Sequence, residues 1–168
     1  AASLIHQDDC VIIDNGSTVE HLAANIDKKT RMTVFTCNLN ILNMICSNPN
    51  ISIIFGGGYY HPDTTLFESP ENIMLIKNIR ATKVFATAAG VHDKMGITCM
   101  NNYELEVKQT IIRSGAEKIL LVDSSKFGKI EPCFLTDIDI FDRVITDKKL
   151  SKEWVQWIQE KGIQLDLV

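Results

Sequence analysis

Short apolar runs rich in β-branched residues alternate along this chain with longer amphipathic stretches, and that alternation leaves few architectures open. Val11-Ile12-Ile13, Thr33-Val34-Phe35-Thr36, Ile51-Ser52-Ile53-Ile54-Phe55, Lys83-Val84-Phe85-Ala86 and Ile119-Leu120-Leu121-Val122 read as buried strands, too short and too β-branched for helices. Val144-Ile145 is a shorter candidate, and Ile163 to Val168 reads as a last edge strand. Helical spacing runs from Thr18 to Ile26, Asn38 to Ser47, Glu71 to Ile79, Tyr103 to Ser114 and Ser151 to Lys161. In the last of these, Trp154, Trp157 and Ile158 form an apolar stripe, read as core or as a contact surface. Repeated strand–helix alternation predicts a three-layer α/β/α fold with a mostly parallel sheet. Ligands of such sheets bind outside the carboxyl ends of the strands, so the strand-end loops are where function is sought.

The bulk properties fit that fold. The 168 residues suit one domain, 1–168, and no linker or low-complexity tract divides them. Hydrophobic residues at 45% and charged residues at 23% argue for an ordered core. No apolar run approaches the ~20 residues that span a bilayer, and the opening residues do not read as a secretory leader. The net charge of −4 argues against a domain that grips DNA alone, which usually carries a basic patch. Five cysteines, an odd number with no C-x-x-C, read as a reducing, cytoplasmic context. Four dispersed histidines give no metal-ligand spacing, and neither metal nor cofactor is expected.

Several strand-end loops carry groups suited to an anion. Asp14-Asn15-Gly16-Ser17-Thr18 follows the first strand, with Ser17 and Glu20 spaced as a capping box. Gly16 permits close backbone approach, and a helix N-terminus offers unpaired N–H groups with partial positive charge. The plain alternative is a capped helix after a tight turn. Gly56-Gly57-Gly58 ends the third strand as a nest of N–H groups or a flexible loop. Ala88-Ala89-Gly90-Val91-His92-Asp93 follows the fourth strand, where His92 meets a sugar hydroxyl or solvent. Glu104 and Lys108 share a helix face, and the bland reading is an exposed pair worth about 0.3–0.5 kcal/mol. In Asp123-Ser124-Ser125-Lys126-Phe127-Gly128-Lys129, Asp123 or Ser124 caps a short helix and Lys126 reaches a phosphate or solvent.

The ordered set of these motifs, closed by Thr146-Asp147, resembles the C-terminal effector domain of DeoR-family transcription regulators. The D-S-S-K-F-G run is its sharpest element, and Ala88 to His92 with Thr98 to Asn101 resembles the deoxyribonucleoside operon repressor branch. The resemblance implies a fold like that of ribose 5-phosphate isomerase, glucosamine 6-phosphate deaminase and the CoA transferases. It implies a phosphorylated sugar as effector, in that branch deoxyribose 5-phosphate. Gly16, Ser17, Thr18 and Lys126 would hold the phosphate. Asp14, Asn38, Gly57, Gly58, Gly90 and Lys108 would line the sugar site. Glu104 or Glu106 would stand where the isomerases keep a catalytic carboxylate, and His92 would mark specificity. The family also implies an N-terminal winged helix-turn-helix, which nothing in this chain supplies; Ala1 to Ile5 resembles the end of the helix linking the two parts.

The expected function is therefore a non-enzymatic sensor that self-associates, relieves DNA binding when occupied, and reaches operator DNA only through that other domain. The competing expectation is an isomerase or deaminase on the same fold, whose base must meet the substrate carbon.

Overall fold

The structure, a computed structural model, describes residues 1–168. The elements run β1 (Cys10–Ile13), α1 (Ser17–Ala24), β2 (Met32–Thr36), α2 (Leu39–Ile45), β3 (Ile51–Phe55), β4 (Tyr59–His61), β5 (Leu66–Glu68), α3 (Pro70–Asn78), β6 (Ala81–Ala86), β7 (Gly90–His92), β8 (Gly96–Cys99), α4 (Asn102–Arg113), β9 (Gly115–Leu121), β10 (Cys133–Thr136), β11 (Arg143–Thr146), α5 (Lys152–Glu160) and β12 (Gln164–Leu167).

Seven strands form one sheet in the order β12-β11-β9-β6-β1-β2-β3. Every neighbouring pair is parallel. From β1 the chain moves outward through β2 and β3, then returns to β6 and moves the other way through β9, β11 and β12. Strand order therefore reverses between β1 and β6, which opens a crevice at their carboxyl ends.

Alternation of side chains along the strands builds the layers. Val11 and Ile13 join one core with Val34, Phe85, Ile119 and Ile145, covered by α1 and α2 through Val19, Leu22, Ile41 and Ile45. Ile12 joins the opposite core with Phe35, Val84, Leu120 and Val144, covered by Ile76 of α3, Val107 and Ile111 of α4, and Ile158 of α5. The α5 stripe packs inward: Trp154 lies against Phe127, with ring centroids 5.6 Å apart. No helix is long and apolar enough to cross a membrane.

Two small antiparallel additions depart from the sequence reading. β4 and β5 form a hairpin, and β10-β8-β7 form a three-stranded sheet. Gly90-Val91-His92, read as loop, is a strand paired with Gly96 to Thr98. Runs of three or four residues are too short for a periodic pattern to declare itself, and only tertiary pairing makes them strands. The capping box also does not form. Ser17 is already helical, Gly16 is the N-cap, and no side chain caps the first turn. Glu20 instead accepts a hydrogen bond from Asn40 Nδ2 at 2.8 Å, tying α1 to the start of α2.

Candidate functional site

The crevice at the strand-order reversal is a polar cleft of about 320 Å³. The loop after β1 contributes Asn15 to Thr18, the loop after β6 contributes Thr87 to Ala89, and the turn after β9 contributes Lys126. Asp63, Thr64 and Thr65 enter from the β4–β5 hairpin, and Asn101, Glu104 and Lys108 from the start of α4.

One side of the cleft is a set of unanswered donors. Gly16 has φ +137°, and a Cβ there would lie 3.0 Å from Thr87 Oγ1, so glycine is required both by conformation and by space. The turn it allows points the first amides of α1 outward. The first main-chain bond of that turn runs from Glu20 N to Gly16 O, which leaves the amides of Ser17, Thr18 and Val19 ahead of it. The positive end of the helix dipole adds to them. Lys126 is half-buried on the same cleft, and its ammonium makes no hydrogen bond or ion pair within the chain. The turn that presents it (Ser124–Lys126) is held at both ends. Asp123 accepts from Ser125 N at 2.9 Å, and Asp147 accepts from Ser124 N at 2.7 Å and Ser124 Oγ at 2.9 Å. The hydrogen bonds that Asp147 receives, from Ser124 N first and Lys149 N next, hold its carboxyl below the usual value.

The floor is the opposite case. Lys108 Nζ lies 2.6 Å from Asp14 Oδ2, with side-chain exposures of 3% and 1%. It also donates to Asn15 O at 3.4 Å and Thr87 Oγ1 at 3.2 Å, so all three ammonium donors are engaged. Burial pushes this ammonium down, but the carboxylates of Asp14 and Glu104 outweigh it and hold its pKa above the ordinary lysine value. Thr87 N donates to the same Asp14 oxygen at 3.0 Å, while Asp14 Oδ1 is buried without a hydrogen-bond partner. Glu104, only 6% exposed, accepts from Asn15 Nδ2 at 3.0 Å and from Asn101 Nδ2 at 2.8 Å. The Glu104–Lys108 spacing, read at its blandest as an exposed pair, thus faces inward. Burial pushes the Cys99 thiol, also on the cleft, up to about 11.

Of the residues singled out from sequence, Gly16, Ser17, Thr18, Glu104, Lys108 and Lys126 come together on the cleft, with Asp14 beneath it. The others stand apart from its lining. Asn38 caps α2 by accepting from Ile41 N at 3.0 Å, and donates to Thr64 O and Thr65 Oγ1, which fastens the hairpin loop. Gly58 has φ +134°, and a Cβ there would meet Glu68 O at 2.2 Å, so the glycine run serves the entry to the hairpin. Gly57 has open space around it. Gly90 packs against Lys129 O and Thr98 Oγ1 inside the small sheet. His92 Nδ1 lies 3.0 Å from Asp93 Oδ1, within its own turn. Glu106 is exposed on α4.

The sequence reading gave no site role to Asn15, Thr87, Asn101 or the Asp63–Thr65 loop, all of which line the cleft. The hairpin has a sequence signal in Tyr59-Tyr60-His61 and Leu66-Phe67-Glu68, aromatic-rich runs around a Pro-Asp-Thr-Thr turn. Its loop is anchored by Tyr103, whose hydroxyl donates to Asp63 Oδ2 at 2.8 Å and whose ring stacks on His61 with centroids 3.6 Å apart.

Residues 1–148 match the family described as the DeoR C terminal sensor domain. The chain is 31% identical over 165 residues to the deoxyribose operon repressor of Escherichia coli, covering 98% of this chain and 66% of the repressor. It is 31% identical over 167 residues to the HTH-type transcriptional regulator GolR of Listeria innocua, covering 99% and 66%, and 29% identical to IolR of Bacillus subtilis, again covering 99% and 66%. It thus spans just under two thirds of these relatives. Among solved structures, eIF2B delta of Chaetomium thermophilum aligns with TM-score 0.55 and 13% identity over 85% of this chain and 51% of its own. The eIF2B beta protein of the same organism aligns with TM-score 0.52 and 21% identity over 78% and 39%. That likeness concerns the fold alone. By its match over residues 1–148 and its likeness to these regulators, the chain belongs to the family of DeoR C-terminal sensor domains.

Proposed function

We propose that the cleft binds a phosphorylated pentose, with deoxyribose 5-phosphate the expected effector, and that its occupancy weakens operator binding by a longer regulator. The observation that carries this reading is the unpaired Lys126 ammonium on the same cleft as the free first amides of α1. An acidic chain that leaves a half-buried cation without a partner beside a helix N-terminus has the donors a phosphate takes. The sheet order gives the cleft a direction. Lys126 follows β9, whereas Asn38 at the end of β2 holds the hairpin loop, so the two lie across three strand intervals, about 14 Å at ~4.8 Å per strand. That span accommodates a phosphate at one end and a pentose at the other.

Binding shifts the balance between subunit arrangements only by the difference in affinity of the effector for each. Such a sensor works as a homo-oligomer in the cytoplasm, with DNA contacted by an N-terminal winged helix-turn-helix. The ligand assignment draws on the name of the Escherichia coli relative, the deoxyribose operon repressor. The second reading, an isomerase or deaminase, is favoured by the buried Asp14–Lys108–Glu104 cluster beside the cleft. Against it, the Lys108 donors and both Glu104 oxygens are already bonded, so Asp14 Oδ1 is the one carboxylate oxygen of the cluster left without a partner to move a proton.

Isothermal titration of the chain with deoxyribose 5-phosphate, ribose 5-phosphate and free deoxyribose tests the proposal. Phosphate-dependent binding lost in Lys126→Ala is the expected result. Absence of binding to every sugar phosphate overturns it, and continuous heat of turnover transfers the cleft to the isomerase reading.

A further inference from the structure

Asn15 carries an unexplained group. It is 4% exposed, lines the cleft, and its Oδ1 is buried with no hydrogen-bond partner. Its main-chain oxygen is pinned by Thr87 Oγ1 at 2.6 Å and by Lys108 Nζ at 3.4 Å. Its side-chain Nδ2 is pinned by Glu104 Oε2 at 3.0 Å. A carboxylate only accepts hydrogen bonds, so Glu104 dictates which way the amide faces: NH₂ toward the carboxylate, carbonyl oxygen away from it. The other oxygen of Glu104 holds Asn101, also on the cleft lining, in the same sense at 2.8 Å. One buried carboxylate therefore orients two amides of the cleft. Folding leaves desolvated acceptors unpaired only rarely, and a ligand donor removes the cost.

We infer that Asn15 is the residue that reads a sugar hydroxyl, and that Glu104 is a positioning residue that keeps the Asn15 and Asn101 carbonyl oxygens turned to the ligand. The inference rests on the sugar-phosphate reading of the cleft and sharpens it. The effector must place a hydroxyl donor over the floor, and a phosphate ester lacking that donor is discriminated against although it satisfies Lys126 and α1. Rejection of this kind is strong because the protein acceptor stays buried and unpaired when the donor is missing. Three groups face the Glu104 carboxylate: the two amides, and Lys108, whose charge it supports across the floor. None of these contacts resembles a base waiting for a carbon-bound proton.

The test compares deoxyribose 5-phosphate with two donor-lacking probes by titration: 1,4-anhydro-2-deoxyribitol 5-phosphate, without the anomeric hydroxyl, and 2,3-dideoxyribose 5-phosphate, without the 3-hydroxyl. The wild-type chain is expected to prefer the parent over one of these by roughly tenfold or more. Glu104→Gln offers one acceptor and one donor, so an amide must turn, and the preference should collapse while binding that depends on phosphate persists. Asn15→Leu should remove the preference by a second route, and melting curves establish that each variant is folded; if Asn15→Leu does not fold, Glu104→Gln carries the test. Equal wild-type affinity for all three phosphates overturns the Asn15 assignment and leaves the phosphate site standing. Failure of the wild type to bind any of them removes the sugar-phosphate reading and this inference with it. Turnover of a sugar phosphate that disappears in Glu104→Gln overturns the positioning role.

Discussion

Two lysines of one cleft differ in everything but their chemistry. Lys108 is buried with its three donors engaged by Asp14, Asn15 and Thr87, whereas Lys126 is half-buried on a turn and has no partner. A cation beside a ligand site has two uses. It compensates carboxylates that the protein has itself buried, or it is left open for an anion from outside. The first use shows in stability and the second in binding, so the two residues should separate cleanly under mutation.

The largest effect is expected from Lys108→Met. It strands Asp14 as a buried charge, which typically costs about 3–5 kcal/mol, and urea unfolding should show a loss on that scale. A loss under about 1 kcal/mol would mean that the pair is not what holds the floor together. Lys126→Ala should do the converse. Its melting point should stay near wild type, while sugar-phosphate affinity falls roughly ten- to a hundredfold, the scale of one charged hydrogen bond. If the melting point falls and the affinity does not, the contrast between the two lysines is broken.

Gly16→Ala comes next. It forces a side chain into a positive φ and against Thr87, with an expected cost of about 1–3 kcal/mol by thermal melting and a weakened phosphate end. The pH response sharpens the Lys108 side. Its folded-state pKa is raised, so its contribution is complete below the unfolded value near ~10.4 and is lost as pH rises through the folded value. Lys108 should therefore add no slope to stability across neutral pH, and Lys108→Met should lack the alkaline decline attributable to this group. The smallest effect is expected from Asp147→Ala. It frees the turn that presents Lys126, and titration should show a few-fold loss of affinity, less than Lys126→Ala. A loss as great as that of Lys126→Ala would mean that turn placement matters more than the charge itself.

Much of this comparison was legible before the fold was known. The five apolar runs, the helices between them and the strand-end loops follow from period-2 and helical spacing, and Gly16, Ser17, Thr18 and Lys126 were picked out because their chemistry suits a phosphate. Less visible was the direction in which a polar residue faces. Glu104 and Lys108 have the spacing of a solvent pair, and only the packing of α4 over the loops after β1 and β6 turns them inward, onto Asp14, Asn15 and Thr87. Asn38 and Gly58 were placed at the sugar site by the family resemblance; in the structure they stand apart from the cleft lining and hold the β4–β5 hairpin, whose contacts lie far along the chain.

The sequence alone determined the layer architecture, the parallel sheet and the edge of that sheet at which a ligand is sought, because these depend on local periodicity and on sterically limited connections. It also singled out Gly16, Ser17, Thr18 and Lys126, which sit within short loops and which the structure brings to one cleft. Only the tertiary structure decided which groups are already satisfied. Whether a lysine is open or saturated, and which way an asparagine amide faces, depends on hydrogen bonds between residues separated by up to 94 positions in the chain. Those pairings form when strands β1 and β6 and helix α4 meet at the crevice, and no local pattern encodes them.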